Sequence, residues 1–114
     1  MSLSVNTRKL GEVVVVDMSG RLTSGEPVLL LRQTVRRFLD DGARKFVLNL
    51  GNVSYIDSSG LGELVTTYTS LQHRGGSVNL LNLTKKANDL LQMTKLLTVF
   101  DTYDDEGKAV GAHG

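Results

Sequence analysis

The sequence predicts a single α/β domain: a mixed, mainly parallel sheet of about five strands flanked by about four helices. Three observations predict it. Short apolar runs (Val13–Val16, Phe46–Leu50, Val78–Leu83) alternate with longer segments of helical period. Turn chemistry separates the two kinds of segment: Gly20–Gly25, Gly42, Asp57–Gly62, Gly75–Gly76 and Thr84. Single helices between successive strands call for right-handed crossovers, which leave neighbouring strands parallel. The domain spans residues 1–114, with its ordered core over about residues 3–110.

Taken in order, Leu3 and Val5 alternate with Ser4 and Asn6, the pattern of a strand with one wet face at a sheet edge. Leu10-Gly11 is a turn. Val13 to Val16 is too short for a helix and strongly β-branched, so it is a strand buried on both faces. The two strands lie close enough to form an antiparallel hairpin. Gly20 to Gly25 is a loop, and Pro27 stands where a helix opens. Thr23 with Glu26 has capping-box spacing, and Ser24 is the alternative cap. Val28, Leu31, Val35, Phe38 and Leu39 share one helical face; Arg32, Arg36 and Arg37 fall mostly on the other, either as a solvated face or to meet an acidic partner.

After Gly42, Phe46 to Leu50 is the next buried strand. The second helix carries Leu61, Leu64, Val65, Tyr68 and Leu71 on one face and stops at His73-Arg74-Gly75-Gly76. Val78, Leu80, Leu81 and Leu83 form another strand. Thr84 caps a third helix with Ala87, Leu90, Leu91 and Leu97 inward, Val99-Phe100 is a short last strand, and Asp104, Asp105 and Glu106 favour a final short helix. The tail Gly111–Gly114 is expected to fray. Val14, Val16, Val47, Leu48, Leu64 and Leu91 belong in the core.

Composition narrows the function. The formal net charge is +1, from 13 basic and 12 acidic residues, without the basic excess or stripe of a nucleic-acid binder. The chain contains no cysteine, which removes disulfides, thiol catalysis and thiolate metal sites. No apolar run approaches the ~20 residues of a membrane span, and the N-terminus lacks the apolar core of a signal peptide. A soluble, cytoplasmic protein is expected.

In a parallel sheet, function gathers at the carboxyl ends of the strands. Three loops meet there on this reading: Gly20–Gly25, Asn52–Ser59 and Leu83–Lys86. The middle one holds Asp57-Ser58-Ser59-Gly60-Leu61-Gly62. Asp and Ser suit a helix N-cap, and the glycines leave the backbone bare, so another surface can approach closely. The result is a small polar platform at the positive end of a helix dipole.

Enzymatic chemistry finds little to work with here. The Gly-x-Ser-x-Gly elbow is missing. Of the two candidate bases, His73 stands about four helical turns from Ser58, on the order of 20 Å away, and His113 is in the tail. Gly60-Leu61-Gly62 opens a dinucleotide-like pattern, but Val65 occupies the third glycine's place. There is no Gly-Lys-Ser/Thr phosphate loop and no His/Asp/Glu set with metal-ligand spacing. No cofactor or metal is expected, and the platform reads as acted upon rather than acting.

The chain resembles a STAS domain, specifically a bacterial anti-sigma factor antagonist (anti-anti-sigma factor). The resemblance lies in Gly20-Arg21-Leu22, Phe46-Val47-Leu48-Asn49-Leu50 and the block Val53-Ser54-Tyr55-Ile56-Asp57-Ser58-Ser59-Gly60-Leu61-Gly62. It continues through Gly75-Gly76, Val78-Asn79-Leu80, Leu83-Thr84 and Leu96–Phe100, nearly the whole chain. One departure is Thr23, where an Asp commonly follows the Gly-Arg-Leu piece.

The resemblance implies partner switching. The unphosphorylated antagonist binds an anti-sigma factor that is also a serine kinase of the GHKL type, freeing the sigma factor. The kinase phosphorylates the first serine of the block, here Ser58, with Ser59 the competing acceptor, and the complex falls apart. A PPM-type phosphatase resets it. Physical chemistry agrees: phosphate adds about −1.5 to −2 charge, which a helix N-terminus tolerates but a nearby acidic or apolar partner surface does not. The partner surface is expected at Arg21, Asp57, Ser58, Ser59 and Gly60, with the exposed side of the second helix at Gly62, Glu63 and Thr66. The alternatives are a constitutive STAS scaffold or transport-associated subunit without the switch, and a small enzyme or nucleotide binder using the same loop. The intact Asp57-Ser58 pair favours the antagonist.

Overall fold

The computed structural model describes residues 3–113. Strand β1 (Leu3–Leu10) and strand β2 (Val13–Leu22) form the hairpin. Helix α1 (Glu26–Asp40), strand β3 (Lys45–Ile56), helix α2 (Ser58–His73), strand β4 (Ser77–Leu81) and helix α3 (Lys85–Met93) follow. A single 3-10 turn (Leu96–Thr98), strand β5 (Asp101–Tyr103) and helix α4 (Glu106–Gly111) complete the chain. The five strands lie in the order β1-β2-β3-β4-β5; β1 runs antiparallel to β2 and every other pair is parallel. Five strands and four helices match the sequence expectation.

Because each crossover moves one strand along in the same direction with the same hand, α1, α2 and α3 all fall on one face. The packing agrees. Leu31, Val35, Leu39, Leu64, Leu71 and Leu91 share one core with Val14, Val16, Phe46, Leu48 and Leu80. The opposite face holds a smaller core, Val13, Val15, Val47 and Leu81, covered by Ala109 and Val110 of α4. Adjacent residues of β2 and β3 therefore point into two different cores, which is why these strands read as unbroken apolar runs. Val14, Val16, Val47, Leu48 and Leu64 are fully buried and Leu91 nearly so.

Four expectations need correction. Neither Thr23 nor Ser24 caps α1: its N-cap is Gly25, at φ 89, with no side-chain cap bond. Strand β3 does not stop at Leu50; after a register shift against β2 it runs on to Ile56, so the expected loop at Asn52–Ser59 shrinks to Asp57 between strand and helix. Val99-Phe100 is not a strand. Phe100 is buried, its ring packed edge-on against Tyr68 at 5.5 Å, and the last strand is the polar Asp101–Tyr103, held by three register pairs with β4. The tail does not fray through His113, whose Nε2 lies 2.9 Å from the carbonyl oxygen of Phe46 and whose Nδ1 lies 3.0 Å from the hydroxyl of Ser77. Gly114 lies outside the described residues.

A carbonyl can only accept, so Nε2 carries the proton and neutral Nδ1 accepts from Ser77. Burial, with Lys45 nearby, holds the imidazole below the ordinary histidine value against the opposing pull of the Phe46 carbonyl. The unfolded chain then takes up a proton at His113 before the folded one does, so stability present above the ordinary histidine range falls as pH drops through it. The melting midpoint is expected to fall more between about pH 7.5 and about pH 5 in the wild type than in His113→Gln; equal falls would place the titration elsewhere. Separately, Leu64→Ala is expected to cost about 2–5 kcal/mol in denaturant melts, and a loss under about 0.5 kcal/mol would contradict its packed position.

Candidate functional site

The platform is built where β2 and β3 end side by side. Leu22 pairs with Ile56 in register, and the carbonyl of Leu22 accepts the N–H of Asp57 at 3.2 Å. Asp57 is the N-cap of α2: one carboxylate oxygen accepts from the N–H of Gly60 at 2.8 Å, and its own carbonyl accepts from Leu61 at 2.9 Å. The other carboxylate oxygen accepts from the N–H of Ser24 at 3.0 Å. One side chain thus closes the helix end and ties the first loop to it. The Gly60 and Ser24 N–H groups, with the charge of Arg21, hold the Asp57 carboxyl below the usual carboxylate value.

Gly60 is required by space. A Cβ there would lie 2.1 Å from the carbonyl oxygen of Leu22, which is backbone and cannot swing aside. Gly62 is the opposite case, with open space around its would-be Cβ. It leaves a bare patch on the solvent side of α2, next to exposed Thr66.

Ser58 and Ser59 are both exposed, and among the described residues the hydroxyl of neither makes a hydrogen bond to protein. The cap is Asp57 alone, so Ser58 stands at the first helical position with no structural bond of its own. Arg21 and Tyr55 flank the platform: the guanidinium carbon lies 4.5 Å from the centre of the Tyr55 ring, and Tyr55 is 47% exposed.

The structure brings Arg21, Asp57, Ser58, Ser59 and Gly60 together at the strand ends, with Gly62 and Thr66 along the adjoining helix. Glu63 differs from expectation. It is 3% exposed, not on the solvent side of α2, and its carboxylate is clasped by Arg32 of α1 at 2.7 Å through Nη2 and 3.2 Å through Nε. The buried face of α2 is therefore Gly60, Glu63, Leu64, Thr67 and Leu71. The α1 arginines divide accordingly: Arg32 is a structural ion partner, Arg37 lies over the ring of Phe38, and Arg36 lines a groove of about 370 Å³ between α1 and α2. Sequence reasoning also missed the bond from Ser24 to Asp57, which no local spacing encodes. The third loop does reach the site: Thr84 and Lys86 line a pocket with Tyr55 and Ile56.

Among the described residues no group of three or more His, Asp or Glu side chains is placed to hold a metal, and no helix is long and apolar enough to cross a membrane. His73 sits at the far end of α2 and His113 is occupied by Phe46 and Ser77.

Residues 4–109 match the STAS domain family. The chain belongs to that family. Among its relatives are the anti-sigma F factor antagonist of Paenibacillus polymyxa, 26% identical over 96% of this chain and 94% of that protein, and the anti-sigma-B factor antagonist of Bacillus subtilis, 30% identical over 89% and 91%. A solved structure from Thermotoga maritima, described as a putative anti-sigma factor antagonist, superposes with a TM-score of 0.88 at 27% identity, covering 96% of this chain and 93% of its own. Within the STAS family the chain therefore keeps company with anti-sigma factor antagonists, as the sequence resemblance implied.

The two glycines give a paired prediction. Gly60→Ala is expected to destabilise the domain by about 1–3 kcal/mol or more, because the clash is with backbone. Gly62→Ala is expected to be neutral or to stabilise by up to about 1 kcal/mol through helix propensity. Denaturant melts of the two variants check this, and equal effects would mean that the Leu22–Gly60 contact is not tight.

Proposed function

We propose that this chain is an anti-sigma factor antagonist: unphosphorylated, it binds an anti-sigma factor and frees the sigma factor, and phosphorylation of Ser58 ends the complex. The observation that carries the reading is the exposed, unbonded hydroxyl of Ser58 at the opening of α2, on a platform whose geometry Asp57 maintains. A serine in that position is open to a kinase, and its modification breaks no side-chain hydrogen bond of the fold. The names of the relatives support the partner class. The family resemblance further suggests that the anti-sigma factor is itself a GHKL-type serine kinase, that a PPM-type phosphatase resets the site, and that the exchange takes place in the cytoplasm. The chain acts by binding, without catalysis of its own.

The docking surface on this reading is the platform, Arg21 and Asp57 to Gly60, continued along Gly62 and Thr66. Glu63 contributes from below, holding α1 against α2 through Arg32. A phosphate at Ser58 adds about −1.5 to −2 charge in the middle of that surface. The helix N-terminus accommodates the charge within the domain, while the partner loses a neutral, close-fitting patch.

Four variants and one mapping experiment test the reading. Phosphopeptide mapping after incubation with the cognate kinase should place the phosphate on Ser58. Ser58→Ala should change stability by less than about 0.5 kcal/mol, since it removes no cap bond, and should bind the anti-sigma factor persistently in the presence of ATP. Ser58→Asp should fold and bind weakly, Ser59→Ala should still be released, and Gly62→Arg should fold yet fail to bind. Phosphate on Ser59 or on a threonine, or wild-type affinity in Ser58→Asp, would overturn the switch.

A further inference from the structure

Arg21 stands close to the platform without an ion pair among the described residues. Among the described residues the other arginines near a carboxylate are committed: Arg8 to Asp17 and Glu106, Arg32 to Glu63, Arg74 to Asp40. Arg21 makes no ion pair there; its guanidinium rests on the exposed ring of Tyr55, 4.5 Å from the ring centre. Its position is fixed by the sheet. Arg21 is the register partner of Tyr55, which precedes Ser58 by three residues, and its neighbour Leu22 is bonded to Asp57, the residue before Ser58. The positive charge of Arg21 is felt at Asp57. The Asp57 carboxylate does not draw the guanidinium off the ring, because it is engaged with the N–H groups of Gly60 and Ser24.

We propose that a phosphate on Ser58 is received within the chain by Arg21, which leaves the Tyr55 ring to pair with it. This rests on the switch proposed above for the same serine and describes how the switched state is organised. Contact between an exposed cation and an aromatic face is a weak hold. A doubly charged phosphate offers three acceptor oxygens and suits the bidentate fork of arginine. The exchange alters the surface twice: the guanidinium withdraws from the face a partner would meet, and the Tyr55 ring is bared. Release then comes from a rearranged patch as well as from added charge.

The test needs no kinase. Phosphoserine is introduced at position 58 during synthesis of the full chain, and the phosphate is titrated by phosphorus NMR while the Tyr55 ring signals are followed. The second phosphate ionisation, ordinarily near pH 6, should lie lower in the wild-type background than in Arg21→Ala by about half a pH unit or more. Arg21→Lys, which keeps the charge and loses the fork, should fall between them. The Tyr55 ring signals should move on phosphorylation in the wild type and stay in place in Arg21→Ala. Lys86→Ala, at the neighbouring start of α3, should titrate as the wild type does. Identical titrations in wild type and Arg21→Ala, an unmoved Tyr55 ring, or a shift caused by Lys86→Ala instead would overturn the proposal. Since the phosphate is built in, those failures leave Ser58 standing as the release site. Kinase mapping that placed the phosphate elsewhere would remove the release site without touching the measured pair.

Discussion

The carbonyl of Leu22 is the point on which the platform depends. It lies at the buried end of β2, where it accepts the N–H of Asp57 and presses against Gly60 so closely that no side chain fits. These two contacts fix where β3 ends and how α2 departs. With the helix start fixed, the Asp57 side chain can reach Gly60 on one side and Ser24 on the other. Moving any of these groups would move the rest, because a capping bond weakens steeply once its geometry is lost. The serines are carried outward by this arrangement without taking part in it.

The asymmetry of the sheet serves the same end. Three helices on one face bury the larger core, and the other face is closed by a six-residue helix. That short helix could not hold itself by propensity, since isolated helices of this length are marginal. It is fastened by side chains: Arg8 bridges Asp17 and Glu106, Asn79 donates to the carbonyl of Ala109, and His113 reaches Phe46 and Ser77. The His113 contacts lie at the amino ends of β3 and β4, at the opposite end of the sheet from Ser58. The carboxyl ends of β2 and β3, where the platform sits, are left clear of α4.

Where apolar patterning was strong, the sequence was a sufficient guide. The valine run of β2, the Phe46–Leu50 run of β3 and the leucines of α1 to α3 could each be placed because burial leaves a periodic trace. So could the cap at Thr84, since a cap is a local, three-residue relation. Contacts formed across long separations with polar partners were not visible. Glu63 looked exposed because a charged residue on a helix usually is, and only Arg32, 31 residues earlier, explains its burial. The extension of β3 to Ile56 was hidden because Gly51, Asn52 and Ser54 interrupt its apolar residues, of which only Val53 is buried. Strand β5 was misplaced for the same reason. An edge strand of three polar residues has no apolar signature, while the genuinely buried Phe100 beside it belongs to no strand.

A residue that caps a helix and a residue that carries a switch face opposing demands. The cap must stay bonded in every state, and the switch must change charge without disturbing the fold. On the proposed function, Asp57 and Ser58 divide the two tasks between adjacent positions. Asp57 is ionised and doubly bonded, held below the usual carboxylate value by the N–H groups it accepts, so its contribution is present at neutral pH and is lost only as pH falls through that lowered value. Ser58 contributes no bond, so adding a phosphate breaks none. The first-turn N–H groups and the helix dipole favour negative charge there. On the proposed function, modification of Ser58 then breaks no hydrogen bond that holds α2. Were the cap itself the phospho-acceptor, modification would loosen α2 and with it the Arg32–Glu63 clasp that holds α1 in place, and the proposed release would be tied to the stability of the domain.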